Sequence, residues 1–244
     1  MIVDVFTYNG ESELLDLRLN ILRPYVDRFI AVQSMTTFTG KLKPIYETPE
    51  EVEDYINNDD YTDSEWELAN NSPNTQGASH WKWEFLQKER IKDALKGLDD
   101  DDIVFVGDCD EIYEPVYTLA GAHKLKLRVY AYYLNNRSDE EFWGTIVAPY
   151  RDIKNECLNH LRTNAEKTKT YQGWHFTSMY DLKKKLTDQY TEESYATKEV
   201  LENAEKNKKE LKDFLGRDFK YEVNEEDWPE YLKKNRKKYE HLCK

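Results

Sequence analysis

DDDDIVFVGDCDEIYEP, residues 99–115, reads as a strand with an acidic tip. Ile103, Val104, Phe105 and Val106 are apolar at every step, so both faces of the extended chain are greasy. That is the pattern of a strand inside a parallel sheet covered by helices. Gly107 closes the run, and Asp108, Cys109, Asp110 and Glu111 follow at once. In open α/β sheets the carboxyl ends of strands face the ligand crevice, so the three acids stand where function sits. The upstream acids 99–102 read as a solvated turn.

On either side, short apolar strands alternate with amphipathic helices. Residues 2–7 form a strand stopped by Asn9-Gly10. Residues 11–23 carry Leu14, Leu15, Leu19 and Leu22 at helical spacing before Pro24. Residues 28–33 make a second strand, 80–96 a helix, and 127–133 and 144–148 further strands. The pattern predicts an α/β fold. Residues 48–67 hold nine acids and no base, and with NNSPNTQG at 70–77 they predict a solvated excursion or lid. Beyond Asp181 the chain is charged and helical, and residues 232–244 carry six bases against one acid. With roughly 150 residues per domain as a guide, 244 residues suit one domain with an appendage.

Composition narrows the function classes. Thirty-five basic and 48 acidic residues leave a net charge of −13, which disfavours a general nucleic-acid coat. Eighteen Tyr, 9 Phe and 6 Trp are too many rings for a disordered chain. No apolar run approaches a membrane span, and MIVDVFTYNG lacks a secretory signal's basic start. The three scattered cysteines fit neither a disulfide frame nor a zinc site, so a reducing cytoplasm is the expected location.

Carboxylates two apart at a strand tip can converge on one hard divalent cation, Mg²⁺ or Mn²⁺, together with phosphate oxygens. An EF-hand fails on spacing, because Ile112 stands where it needs an oxygen ligand and Tyr113 where it needs glycine. A phosphatase of the haloacid-dehalogenase type shares the Asp-x-Asp, but Ile112 replaces its Thr or Val and no Gly-Asp pair follows. Arg18 and Arg90 lie on apolar helix stripes, where a guanidinium needs a carboxylate or phosphate partner. His175, in YQGWHFTSM, is either a satisfied core histidine or a ligating group beside Asp110.

Four blocks, in order, resemble glycosyltransferase family 17: FTYNGESELLDLRL at 6–19, VQSMTTFTGKLKP at 32–44, the arginine-bearing helix through the Asp-x-Asp-Glu-Ile block at 90–115, and Gly173-Trp174-His175 followed by Lys185-Leu186. Together they span about residues 1–190. One departure is Gln33, which stands where the family usually has Glu before Ser34.

The resemblance implies a GT-A type fold, Rossmann-like, with a mixed, mainly parallel central sheet flanked by helices. It places a catalytic domain at 1–190 and a helical C-terminal extension at 191–244. It implies a metal-dependent inverting transfer of a sugar, N-acetylglucosamine by family expectation, from a UDP-sugar to a glycan hydroxyl. Asp108 and Asp110 would hold Mn²⁺ or Mg²⁺, with His175 as an additional contact. Thr7, Tyr8, Asn9, Glu11, Ser34 and Cys109 would surround the donor. Lys41, Lys43, Arg18 and Arg90 could offset diphosphate charge. An attacking hydroxyl needs a carboxylate base, for which Asp181, Glu192 and Glu193 are candidates. Trp81, Trp83 and Trp143 could stack on sugars. A sugar-binding protein without turnover and the Asp-x-Asp phosphatase are the alternatives.

Overall fold

A computed structural model describes residues 1–75, 79–115, 120–189 and 196–244. In chain order the elements are β1 (Ile2–Thr7), α1 (Ser12–Leu22), β2 (Arg28–Ser34), β3 (Val52–Asn57), α2 (Asp63–Asn71), α3 (Ser79–Glu89), α4 (Ile91–Ala94), β4 (Ile103–Asp108) and β5 (Glu111–Tyr113). They continue with β6 (His123–Ala131), β7 (Asn136–Pro149), α5 (Tyr150–Ile153), α6 (Leu158–Asn164), β8 (Glu166–Thr177), α7 (Leu182–Gln189), α8 (Lys198–Lys209), β9 (Tyr221–Val223) and α9 (Glu230–Lys234).

The strands form one mixed sheet in the order β3-β2-β1-β4-β7-β6-β8-β5, with β9 added on β7. Its heart, β3-β2-β1-β4, is parallel, as is β6 with β8. β7 meets both β4 and β6 antiparallel. Period-2 alternation explains how both faces are covered. Val3, Val5, Val104 and Val106 pack under α4 and α6 through Ile91, Leu95, Leu158 and Leu161. Phe6 and Phe105 point the other way, into the core with Leu14, Leu15 and Leu22 of α1. The expected α/β arrangement of GT-A type, a central sheet flanked by helices, is therefore present.

Three local expectations change. Residues 48–67 are not a lid: Val52–Asn57 pairs in parallel with β2, and Asp63–Asn71 is a helix. An edge strand needs little burial, and here only Val52 and Asn57 are covered. The helix start is a Thr62/Glu65 capping box, two reciprocal hydrogen bonds hidden within the acid count. The helix expected at 80–96 breaks at Arg90, where Asp93 N–H bonds back to the Arg90 carbonyl at 3.0 Å in a tighter turn. Asp102 is no surface acid but is 4% exposed and accepts the Asp99 N–H at 2.8 Å.

The charged C-terminal stretch contains a strand, β9, beside its helices. Two of its bases are tied to acids of the body, Lys238 to Asp16 at 2.5 Å and His241 to Glu13, while Arg236 pairs with Glu225 within the stretch at 2.9 Å. All three cysteines are free thiols. Among the described residues, no helix is long and apolar enough to cross a membrane.

Candidate active site

β1 and β4 lie in register so that Thr7 sits opposite Asp108, and both strands end flush. The Thr7 hydroxyl donates to Asp108 Oδ1 at 2.6 Å. After β4 the chain turns through Cys109 and Asp110 into β5, which pairs with β8 so that Glu111 faces His175. The Asp110 carbonyl accepts the Phe176 N–H at 2.8 Å, which fixes the turn against β8. Asp110 Oδ2 then lies 3.5 Å from His175 Nε2 and 3.9 Å from Lys185 Nζ.

Arg18 holds this turn from below. Its Nε and Nη2 take both oxygens of Asp4 at 2.7 and 2.6 Å. Its Nη1 donates to the carbonyls of Asp108, Cys109 and Glu111 at 3.2, 3.3 and 2.7 Å. Both members of the pair are fully buried. Arg18 is therefore a brace for the acidic turn and not a diphosphate contact. Arg90 likewise lies outside the cavity, paired with Glu65 at 3.0 Å and Asp93 at 3.3 Å. Lys41 is exposed and does not line it.

A cavity of about 630 Å³ opens at these strand ends. Thr7, Tyr8, Asn9, Glu11, Ser34, Lys43, Asp108, Cys109, Asp110, His175 and Asp181 all line it, so the structure brings these sequence candidates together. Glu192 and Glu193 lie outside the described residues. Trp81 lines the cavity. Trp83 packs edge-on against Trp66 and Tyr61, and Trp143 donates to the Thr168 carbonyl at 3.1 Å, so these two serve packing. Gln33 is spent on the loop beyond β2: it donates to the Tyr46 carbonyl and accepts the Tyr46 N–H, each at 2.9 Å.

Two cations were missed by the sequence reading. Lys88 of α3 lies 3.5 Å from Asp108 Oδ2, and Arg162 of α6 bridges Asp108 at 3.4 Å and Glu111 at 3.3 Å. The available signal was Arg162 directly after the apolar pair Leu158 and Leu161, on the side of α6 that meets the sheet. Glu140, Asp213 and Arg217 were also missed; they line the cavity from β7 and the turn before β9.

Electrostatics separates the acids. Burial opposes ionisation of Asp108, but Lys88 and Arg162 outweigh it and hold its carboxyl far below the ordinary range. Asp110 is lowered too, against its burial, by the charge and hydrogen bond of His175. Glu11 is shifted the opposite way, by burial and by nearby Asp110. Burial also raises the Cys109 thiol well above its usual value, so it stays protonated.

The donor set suits a hard divalent cation. Among the described lining residues, nine carboxylates face six Lys and Arg, leaving room for added positive charge. Asp108 and Asp110 offer oxygen ligands; the His175 and Lys185 ion pairs fall on Asp110 Oδ2, and Asp110 Oδ1 accepts no hydrogen bond from the described residues. No group of three or more His, Cys, Asp or Glu among the described residues makes a closed metal cage. An ion of the Mg²⁺ type commonly rests on one or two carboxylates and completes its shell with substrate phosphates and water. Three buried side-chain atoms without a hydrogen-bond partner also line the cavity: Asn9 Oδ1, Lys43 Nζ and His175 Nδ1. Each such group costs about 1–3 kcal/mol when left unmet, so the site favours a polar ligand: Lys43 Nζ calls for an anionic group and Asn9 Oδ1 for an N–H or O–H donor.

A family model described as Glycosyltransferase family 17 matches residues 1–243. The match extends past the four sequence blocks into the C-terminal segment that carries Asp213 and Arg217. No curated protein matches the chain.

Proposed function

The chain belongs to glycosyltransferase family 17, and from that premise we propose that it transfers a sugar from a nucleoside-diphosphate donor, UDP-N-acetylglucosamine by family expectation, to a glycan hydroxyl with inversion, using Mn²⁺ or Mg²⁺. The observation that carries this reading is the opening of the Asp108-Cys109-Asp110 turn into the cavity at the ends of β1 and β4. Asp110, with its free oxygen, is the more direct ligand for the ion. Asp108 supports it, and His175 stands beside Asp110. The ion supplies Lewis-acid neutralisation of the diphosphate charge and a template for the donor.

The remaining work falls to the chain's own side chains. Lys43 brings an unpartnered ammonium to the donor half of the cavity. Lys88 and Arg162 keep Asp108 ionised, so its carboxylate is ready to hold positive charge. Thr7 fixes that carboxylate's orientation. Asn9 presents an unmet acceptor to donor N–H or O–H groups. Trp81 offers a ring to a sugar face.

Thermal melts test the reading, because a ligand that binds only the folded chain raises the melting temperature. UDP with Mn²⁺ is expected to raise it, and EDTA or Asp110→Asn to abolish the rise. An equal rise with EDTA present would remove the ion from the proposal. No rise with any nucleotide diphosphate, together with no turnover of any nucleotide sugar, would overturn it.

A further inference from the structure

Nearly every carboxylate of the cavity wall is already engaged. Glu84 holds Lys88 and Asp188 holds Lys184, each at 2.6 Å. Asp181 uses Oδ1 to accept the Lys184 N–H at 2.9 Å, at the start of α7. Glu140 is different. Its carboxylate accepts no hydrogen bond from the described residues, and its ion-pair partner, Arg217 Nη1, stands 3.6 Å away. A quarter of its side chain stays open, and the residue lines the cavity.

The surroundings of Glu140 are built to hold it. Arg217 donates through Nε and Nη2 to Asp213 at 2.9 and 2.7 Å, leaving Nη1 directed at Glu140. Asp213 is 2% exposed and also accepts the N–H groups of Leu215 and Arg217 at 3.0 and 3.2 Å. The guanidinium lies 4.7 Å over the Phe219 ring. Two residues along β7 from Glu140, Phe142 stacks on His175 with ring centres 4.2 Å apart, and His175 adjoins Asp110. One wall thus runs from the proposed leaving-group end of the cavity to a carboxylate held by a single 3.6 Å ion pair.

We propose that Glu140 is the general base for the acceptor hydroxyl, oriented by Arg217 and Asp213 as positioning residues; this rests on the sugar-transfer reading above. The acceptor oxygen bonds to the anomeric carbon while its proton passes to the Glu140 carboxylate. The bond from that carbon to the diphosphate oxygen breaks, and its electron pair leaves with the diphosphate. Glu140 then returns the proton to solvent. Burial raises the affinity of Glu140 for a proton, against the pull of Arg217, which suits a base. The segment carrying Asp213, Phe214, Arg217 and Tyr221 becomes the acceptor wall, a role no sequence block at 1–190 could supply.

Wild type, Glu140→Gln, Glu140→Ala and Asp181→Asn are compared with UDP-N-acetylglucosamine, Mn²⁺ and a panel of p-nitrophenyl hexosides, with water as the blank acceptor. Glu140→Gln is expected to lower kcat by about 10²–10⁴-fold while the melting rise with UDP and Mn²⁺ persists. Formate, a small carboxylate, is expected to restore part of the turnover of Glu140→Ala. Retention of kcat within a few-fold in Glu140→Gln would overturn the inference. So would a loss confined to Asp181→Asn, or a Glu140→Ala enzyme that binds UDP but gains nothing from formate. A wild-type chain that turns over no nucleotide sugar and is not stabilised by UDP would bring down the sugar-transfer reading itself, and this inference with it.

Discussion

The carboxylate of Glu111 occupies the space a side chain on Gly144 would need: a Cβ there would lie 2.6 Å from both Glu111 Cδ and Oε1. Gly107 leaves the other side open in the same way, at 2.8 Å from Oε2. The two glycines admit a buried acid that accepts from Thr145 Oγ1 at 3.0 Å and Asp108 N–H at 3.3 Å and pairs with Arg162. Gly144→Ala is expected to cost about 1–3 kcal/mol through overpacking and to weaken UDP binding by moving Arg162. Urea unfolding and the UDP melting rise measure both. An alanine variant as stable as wild type and binding equally well would show that Glu111 can yield at no cost.

Arg18 and Asp4 face each other wholly out of water. Removing one partner of such a pair strands the other, at about 3–5 kcal/mol. Arg18→Met is therefore expected to lower stability severely and Asp4→Asn with Arg18→Met to recover a part. Arg18→Lys should not rescue, because a lysine cannot span Asp4 and three carbonyls with a planar fork. A double variant whose loss equals the sum of the losses of Arg18→Met and Asp4→Asn alone would show that the pair is uncoupled. Loss of UDP binding in a variant that remains folded would come from the acidic turn shifting, since Arg18 does not line the cavity.

Much of this was legible in the chain. The two-sided strand 103–107 placed β4 at the sheet centre, and its acidic tip placed the cavity. His175 declared itself only through its neighbours Gly173 and Trp174, and the register Glu111↔His175 is what brings it to Asp110. Where reading failed, long-range geometry decides. Arg18 and Arg90 sit on similar apolar stripes, yet one braces the turn and the other pairs with Glu65 at the surface of α2. Lys88 and Glu140 carry no local mark that they face a cavity. Residues 48–67 hid a strand because an edge position tolerates acids on its open face.

Acid should expose the grip of Lys88 and Arg162 on Asp108. A carboxyl whose folded pKa is depressed contributes stability above its unfolded value, near 3.9, and loses it as pH falls toward the folded value. Burial works against this depression, but the two cations outweigh it. Wild type is expected to lose more unfolding free energy than Asp108→Asn between about pH 5 and pH 3, with the variant already weaker at pH 7 because two cations have lost their partner. Parallel slopes for the two proteins would mean that Asp108 titrates alike folded and unfolded.

Lys43 sets function against stability. Its Nζ is buried without a hydrogen-bond partner and lies 5.6 Å from the centre of the Tyr46 ring. Burial accordingly holds its pKa below the ordinary lysine value, with the charges of Glu11 and Asp59 pulling the other way. A desolvated, unpaired ammonium costs the free protein energy that a bound diphosphate would return. Lys43→Met keeps the length of the chain and removes the charge. It is expected to stabilise the free protein by about 0.5–2 kcal/mol while weakening UDP binding about tenfold or more, since charge-assisted hydrogen bonds contribute about 1.5–3 kcal/mol. Melting curves without ligand and titration calorimetry with UDP and Mn²⁺ read the two effects separately. A variant that is less stable yet binds UDP as before would mean that the ammonium serves the loop and not the donor. Opposite signs in the two measurements would mark Lys43 as a group held at a cost for its ligand.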